Sequence, residues 1–351
     1  MIFRNDFFMK RRFLIVFILI LAGLFSLYLN RTSEYAIVAP AMNTLTNITV
    51  YAHDGEAVQK AYNLLSKLDD AMSMYNPSSD ISFINANAGL KKIYAQKELI
   101  EVIKNAVKLY EITDGVFNPL IGAITKLWKI NTPDSQKPSQ DELDKAIKLS
   151  DISNLELTDD YVYLKNKGCV IDLGGIAKGY ASEKIADLLR KNGVKSAIIN
   201  LGGNVYVLGA KNYSENWKIG VRDPLEPDGT PALIIEVRDT SVITSGAYER
   251  YKIIDGKKYS HFFDAKTGKS VTGDLLSATL VTPDGSLADG LATAFMTAGY
   301  EKSLKIIENK NINKNTGIIF IRQNKNGNAE ILASENLRDI ILRAKYELKF
   351  F

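Results

Sequence analysis

The sequence predicts an α+β fold. Helical periodicity dominates its first half, and short strand runs between Gly, Pro and Asp turns dominate its second. The two kinds of element mix without the strict alternation of a βαβ chain. With 351 residues, the chain is about twice the usual single-domain size, which fits one large domain or two fused halves. Apolar residues at 46% and charged residues at 24% are ordinary globular usage, excluding a disordered tail, a collagen-like chain and a polytopic membrane protein.

In chain order, Ala57, Val58, Ala61, Leu64, Leu65, Leu68 and Met72 follow helical spacing and predict a helix over residues 56–75. A second helix is expected over 97–112, stopped by Asp114-Gly115. Residues 131–140 form the longest linker-like stretch, and Ser139-x-x-Glu142 is a capping box opening a short third helix. Residues 169–173 read as a buried strand, followed by Gly174-Gly175 and a helix ending at Asn192-Gly193. Strands are expected at 197–201, 204–208, 217–221, 233–237 and 251–254, the last turned back by Asp255-Gly256. Helices follow at 286–298 and near 303–308, with a last strand at 317–322.

The net charge of +4 is confined to the first 31 residues, where Arg4, Lys10, Arg11, Arg12 and Arg31 face Asp6. The remaining 320 residues carry 39 cations and 39 anions. Such a body has no electrostatic footprint for nucleic acid. Residues 1–12 read as a basic cytoplasmic flank and residues 13–29, an uncharged apolar run, as a membrane anchor or uncleaved signal. No clean small-x-small cleavage site follows the run, so the expectation is an anchored protein at the cytoplasmic membrane with its body, residues 32–340, outside. One cysteine, Cys169, and two histidines exclude a disulfide framework and a Cys/His zinc site.

Four stretches carry candidate chemistry. Residues 171–180 lead through Gly174-Gly175 into a helix, an arrangement that suits a phosphate or is an ordinary strand-to-helix turn. The spacing GGxxxG is neither a P-loop nor a dinucleotide fingerprint. On the helix over 286–298, Ser286, Asp289, Gly290, Thr293 and Thr297 fall on one stripe of an otherwise apolar surface. A buried carboxylate needs compensation; Asp289 and Thr293 offer hard oxygens for Mg²⁺, or the stripe is a set of helix hydrogen bonds. His261, with Asp264 three residues on, is a general-base candidate or a satisfied structural histidine. The loops 72–81 and 114–119 offer Met and aromatic side chains that can sandwich a planar ring or simply pack.

Taken in order, eight segments resemble the FAD:protein FMN transferases, the flavin-transferase family known as ApbE. They are Met42-Asn43-Thr44, the loop from Ser73 to Asn85, Asp114–Pro119, Asp172–Tyr180, Asn200–Asn204, Thr244-Ser245-Gly246, His261–Gly268 and Ala288–Thr293. The family usually has Gly where Asn43 stands, and many relatives are lipoproteins with an N-terminal cysteine that this chain lacks. The resemblance implies a T-fold-like α+β core that binds FAD and Mg²⁺. It further implies transfer of the FMN half to a Thr or Ser hydroxyl of another protein, with release of AMP. It places metal ligands at the Ala177 carbonyl, Asp289 and Thr293. Met42, Tyr75, Gly115, Val116, Phe117, Asn118 and Phe263 would line flavin and adenine, Gly174 and Lys178 would meet the phosphates, and His261 would take the acceptor proton. The implied acceptors are flavin-carrying subunits of membrane redox pumps and related exported flavoproteins. Ser245-Gly246-Ala247-Tyr248 partly resembles an acceptor site, with Tyr248 at the hydroxyl position, which argues against self-modification. Two alternatives are an FAD pyrophosphatase, in which water attacks, and a membrane-tethered FAD-binding protein without turnover.

Overall fold

The computed structural model describes residues 32–130, 132 and 136–351. The expected flank and anchor, and residues 131 and 133–135 of the expected linker, lie outside the described residues. Among the described residues no helix is long and apolar enough to cross a membrane.

Nine strands form the central sheet. In spatial order they are Ser33–Ala41, Thr44–Ala52, Ala197–Leu201, Asn204–Leu208, Thr240–Gly246, Leu275–Thr282, Gly317–Gln323, Ala329–Ala333 and Glu347–Phe350. Every neighbouring pair is antiparallel except the last, which is parallel. Helices segregated against an antiparallel sheet make this the α+β class that the sequence predicts. The period-2 alternation of the strands sorts their side chains onto two cores. Ile199, Tyr206, Ile243, Leu280 and Phe320 face the helices. Val207, Val242, Val281, Ile319 and Ile321 face a second sheet of Trp217–Arg222, Pro231–Val237 and Ile341–Ala344.

Two helices carry the site, Ala177–Lys191 and Gly285–Ala298. They touch at glycines: a Cβ on Gly179 would lie 2.0 Å from the Gly285 carbonyl oxygen, and one on Gly285 would lie 2.4 Å from the Gly179 carbonyl oxygen. That close approach brings the start of one helix onto Asp289 of the other.

Several expectations change in detail. The first helix ends at Met72 rather than residue 75, because Ser73 turns extended (ψ 109°) and its carbonyl is taken by the Ser79 hydroxyl at 2.6 Å. Ser79 in turn caps a short helix, Asp80–Ala86. Residues 169–173 are buried but form no strand. Without a strand ladder, their backbone is paired piecemeal: the Asn85 amide donates to the Ile171 carbonyl (3.0 Å) and accepts from the Ile171 N–H (2.8 Å), while the Asp172 N–H donates to the Pro119 carbonyl (2.9 Å). The expected last strand is followed by three more, and Glu347–Phe350 joins the main sheet, so the folded body continues past the expected boundary at residue 340.

Candidate active site

A cavity of about 800 Å³ opens where the first hairpin turn, three loops and the two glycine-joined helices converge. Volumes of this order hold cofactor-sized ligands. Of the residues expected at the site, Met42, Tyr75, Val116, Phe117, Asn118, Gly174, Ala177, Lys178, His261, Phe263, Asp289 and Thr293 all line it.

Gly115 is the exception. It sits at φ +81°, donates its N–H to the Tyr110 carbonyl at 2.8 Å, and ends the helix Lys97–Ile112. A left-handed helix terminator is where glycine is needed for backbone reasons, so its place in the motif is conformational. Asn118 lines the cavity, yet both ends of its amide are engaged: Nδ2 donates to the Ser150 carbonyl, and Oδ1 accepts from the Leu120 N–H, each at 2.8 Å. It builds the loop that presents Val116 and Phe117. Phe263 stacks on Trp128, with ring centroids 5.7 Å apart.

The hairpin turn is Met42-Asn43, both residues left-handed (φ 51° and 56°). Two such residues make the tight turn whose twist suits a hairpin. Asn is the residue that tolerates this region best after Gly, so Asn43 fills its position without altering the turn. Met42 is held there by its N–H, which donates to Asp69 Oδ2 at 2.8 Å.

The glycine turn is occupied more fully by its own protein than the sequence predicts. The Gly174 N–H goes to Asp172 Oδ1 (2.8 Å), and those of Ile176 and Ala177 go to the Leu173 carbonyl. The Gly179 N–H goes to Asp289 Oδ2 (2.9 Å). Among the described residues, the N–H groups of Gly175 and Lys178 have no acceptor, and both residues line the cavity. Asp172 also accepts from the Thr125 hydroxyl at 3.1 Å. Burial raises its carboxyl above the usual range, and the Gly174 N–H and Thr125 hydroxyl oppose that rise.

Asp289 is 2% exposed. Its second oxygen accepts from the Asn204 amide at 2.9 Å. The carboxylate is therefore compensated by an amide and by a first-turn N–H of the helix Ala177–Lys191, at that helix's positive end. Burial by itself thus does not require a metal. The chemistry of the donors does fit one: Ala177, Asp289 and Thr293 all line the cavity and offer a carbonyl, a carboxylate and a hydroxyl, the last donating weakly to the Gly175 carbonyl at 3.4 Å, hard oxygens of the kind Mg²⁺ takes alongside phosphate oxygens. Gly175 keeps the space beside them open, since a Cβ there would lie 3.0 Å from Thr293 Cγ2. Among the described residues no group of three His, Cys, Asp or Glu side chains could hold a metal. The polar stripe divides: Asp289, Thr293 and Thr297 face the cavity, while Gly290 lies against Leu109.

His261 donates from Nδ1 to the Arg250 carbonyl at 3.0 Å, since a carbonyl can only accept. The tautomer is thereby fixed with the lone pair on Nε2. Burial pulls the imidazole down to about 4, and the nearby Arg250 and Lys178 cations add to this. At neutral pH the ring is an uncharged acceptor of protons.

Sequence reasoning did not find Asp69, Lys126, Lys129 or Arg250, which also line the cavity. Each sits in a loop or on a helix without motif spacing, so no local signal marks it.

The glycine contact yields a prediction. Gly179→Ala places a methyl inside van der Waals range of the Gly285 backbone and within 2.6 Å of Asp289 Cβ. Helices forced apart there should cost roughly 1–3 kcal/mol, read as a lowered melting temperature, and should misplace Asp289. An unchanged melting temperature would show that the contact is not close in solution.

A model described as the ApbE family matches residues 42–316. The FAD:protein FMN transferase of Treponema pallidum is 34% identical over 298 residues, covering 79% of this chain and 82% of that protein. The protein of the same name from Klebsiella pneumoniae is 29% identical over 323 residues, covering 92% and 95%. Among solved structures, the flavin transferase ApbE from Vibrio cholerae superposes with a TM-score of 0.77 at 25% identity, covering 88% of this chain and 99% of that one. The ApbE protein of Thermotoga maritima gives 0.79 at 27% identity, covering 89% and 100%. The turn, the glycine cradle, the carboxylate–hydroxyl wall and the histidine all fall inside the matched region, and the chain belongs to the ApbE family.

Proposed function

We propose that this chain transfers the FMN half of FAD to a Thr or Ser hydroxyl of an acceptor protein, with Mg²⁺, releasing AMP. The single observation that carries the reading is one cavity holding a neutral histidine with a free Nε2, a hard-oxygen wall and two unengaged N–H groups. The names of the relatives above support its coarser part, transfer of FMN from FAD to a protein. The acceptor oxygen attacks the phosphorus on the FMN side, the bond from that phosphorus to the bridging oxygen breaks, and AMP leaves with the bond's electron pair. His261 Nε2 accepts the hydroxyl proton, while the Arg250 carbonyl holds the ring in the required tautomer. Gly175 and Lys178 N–H groups orient phosphate oxygens, and Met42, Tyr75, Val116 and Phe117 enclose the flat rings. Ala177, Asp289 and Thr293 would hold Mg²⁺, which when bound supplies charge neutralisation to the pyrophosphate.

The test is incubation of residues 32–351 with FAD, Mg²⁺ and exported flavoproteins encoded near this gene. Covalent flavin fluorescence on the acceptor with one AMP per flavin is the expected result. Free FMN with unlabelled acceptor would make the chain an FAD pyrophosphatase, and stoichiometric FAD without AMP a binding protein.

The acceptor reading is a flavin-carrying subunit of a membrane redox pump or a related exported flavoprotein. The basic flank and apolar run support a location at the outer face of the cytoplasmic membrane. Full-length protein should fractionate with membranes and its body should be cleaved by external protease; recovery from the cytosol would overturn this location.

A further inference from the structure

Among the described residues, the strands Tyr251–Ile254 and Lys257–Ser260 pair only with each other, forming a two-stranded ribbon outside the other sheets. Its base belongs to the cavity: Arg250 immediately precedes it, His261 immediately follows it, and both line the wall. The base is rigid. Tyr259 packs against Trp128 with centroids 5.1 Å apart, the Ser260 hydroxyl donates to the Val271 carbonyl, and Trp128 Nε1 donates to the Gly268 carbonyl. The ribbon's register puts Tyr251, Ile253 and Lys258 on one face. That face is open, with Tyr251 46% and Ile253 64% exposed and the Lys258 ammonium held 4.1 Å from the Tyr251 ring centre.

Charge distinguishes this segment from the rest of the body. Residues 250–269 hold Arg250, Lys252, Lys257, Lys258, Lys266 and Lys269 against Asp255 and Asp264 alone, while the body as a whole is balanced. The Asp264 carboxylate is occupied by the turn it closes, accepting from the Lys266 and Thr267 N–H groups. Among the described residues none of Lys257, Lys258, Lys266 and Lys269 is ion-paired. In a body that is otherwise charge-balanced, these cations without carboxylate partners, on and after a ribbon bounded by Arg250 and His261, form a surface suited to a negatively charged visitor. A macromolecular hydroxyl that reaches His261 brings its flanking chain to the cavity wall at Arg250 and His261, the two residues that bound this ribbon.

We propose that the ribbon is the docking surface for the acceptor protein and selects acceptors whose hydroxyl is bracketed by acidic residues. The ribbon's apolar Tyr251 and Ile253 give the contact area, Lys258 on the same face gives the charge preference, and Lys257, on the opposite face beside the same turn, adds to the local positive field. This rests on the flavin-transfer reading, and its test is read by binding rather than by transfer.

Two labelled synthetic peptides serve as probes, each with one Thr, flanked by Asp and Glu in the first and by Lys in the second. Their binding to the FAD- and Mg²⁺-loaded protein is followed by fluorescence anisotropy. The acidic peptide should bind more tightly than the basic one. K257E/K258E should weaken acidic binding by about tenfold or more, K257R/K258R should retain it, and FAD affinity should be the same in all three proteins. Equal binding of the two peptides, or an unaffected K257E/K258E protein, overturns the proposal. So does binding to phosphatidylglycerol vesicles that the double substitution abolishes while the acidic peptide fails to bind, which would make the ribbon a membrane contact. Charge-dependent peptide binding without covalent flavin on any acceptor would count against the transfer reading and leave the docking surface standing.

Discussion

Asp289→Asn should fold and lose Mg²⁺-dependent AMP release by roughly 10²-fold or more, the scale expected when charge stabilisation at a transferring phosphoryl group is removed. The structure dictates this choice of substitution. Asp289→Ala would leave the Gly179 N–H and the Asn204 amide buried without acceptors, costing about 1–3 kcal/mol for each, so lost activity could reflect lost packing. Asparagine keeps an oxygen for the Gly179 N–H, and a flip of the Asn204 amide restores the second hydrogen bond. Only the negative charge is removed. FAD should still bind through its rings, with the Mg²⁺ dependence of that binding reduced; isothermal titration with and without the metal separates the two. Full Mg²⁺-dependent activity in the Asn variant would make this carboxylate a helix cap alone.

His261→Ala should leave FAD and Mg²⁺ binding intact and slow transfer by about 10²–10⁴-fold, the usual range for a missing general base. Because burial lowers the imidazole to about 4, wild-type transfer should hold its rate from neutral pH down toward 5 and fall only on approach to pH 4. An unshifted histidine would have lost half its basic form near pH 6.5. The same shift acts on stability. The unfolded chain binds the proton that the folded ring refuses, so the contribution is fully present above about 6.5 and is lost as the pH falls toward about 4. Raising the pH should partly rescue His261→Ala, since the acceptor hydroxyl then depends less on a positioned base, and should not rescue Asp289→Asn. Wild-type transfer rates in the Ala variant would remove His261 from the chemistry.

Local signals on the chain were sufficient for a definite set of features. The helix Lys97–Ile112, the capping box at Ser139 and Glu142, the strands Ala197–Leu201 and Asn204–Leu208 and the Asp255-Gly256 hairpin all appear where pattern and turn chemistry put them. Each is decided within a few residues, by apolar period or by a turn that needs Gly, Asn or Asp. The ordered motifs likewise marked the glycine turn, Asp289, Thr293 and His261. What tertiary structure alone decided is everything that depends on a partner distant in the chain. The run 169–173 has the composition of a strand, but among the described residues no strand pairs with it, and the Asn85 side chain and the Pro119 carbonyl take its backbone groups at Ile171 and Asp172 instead. The charge of Asp289 is balanced by Gly179, 110 positions away, and by Asn204, 85 away. Arg250 carries no spacing signal, because its meaning lies in standing beside His261. Periodicity records which face of an element is buried; it does not record what is buried against it, and that pairing determines which polar groups remain free to do chemistry.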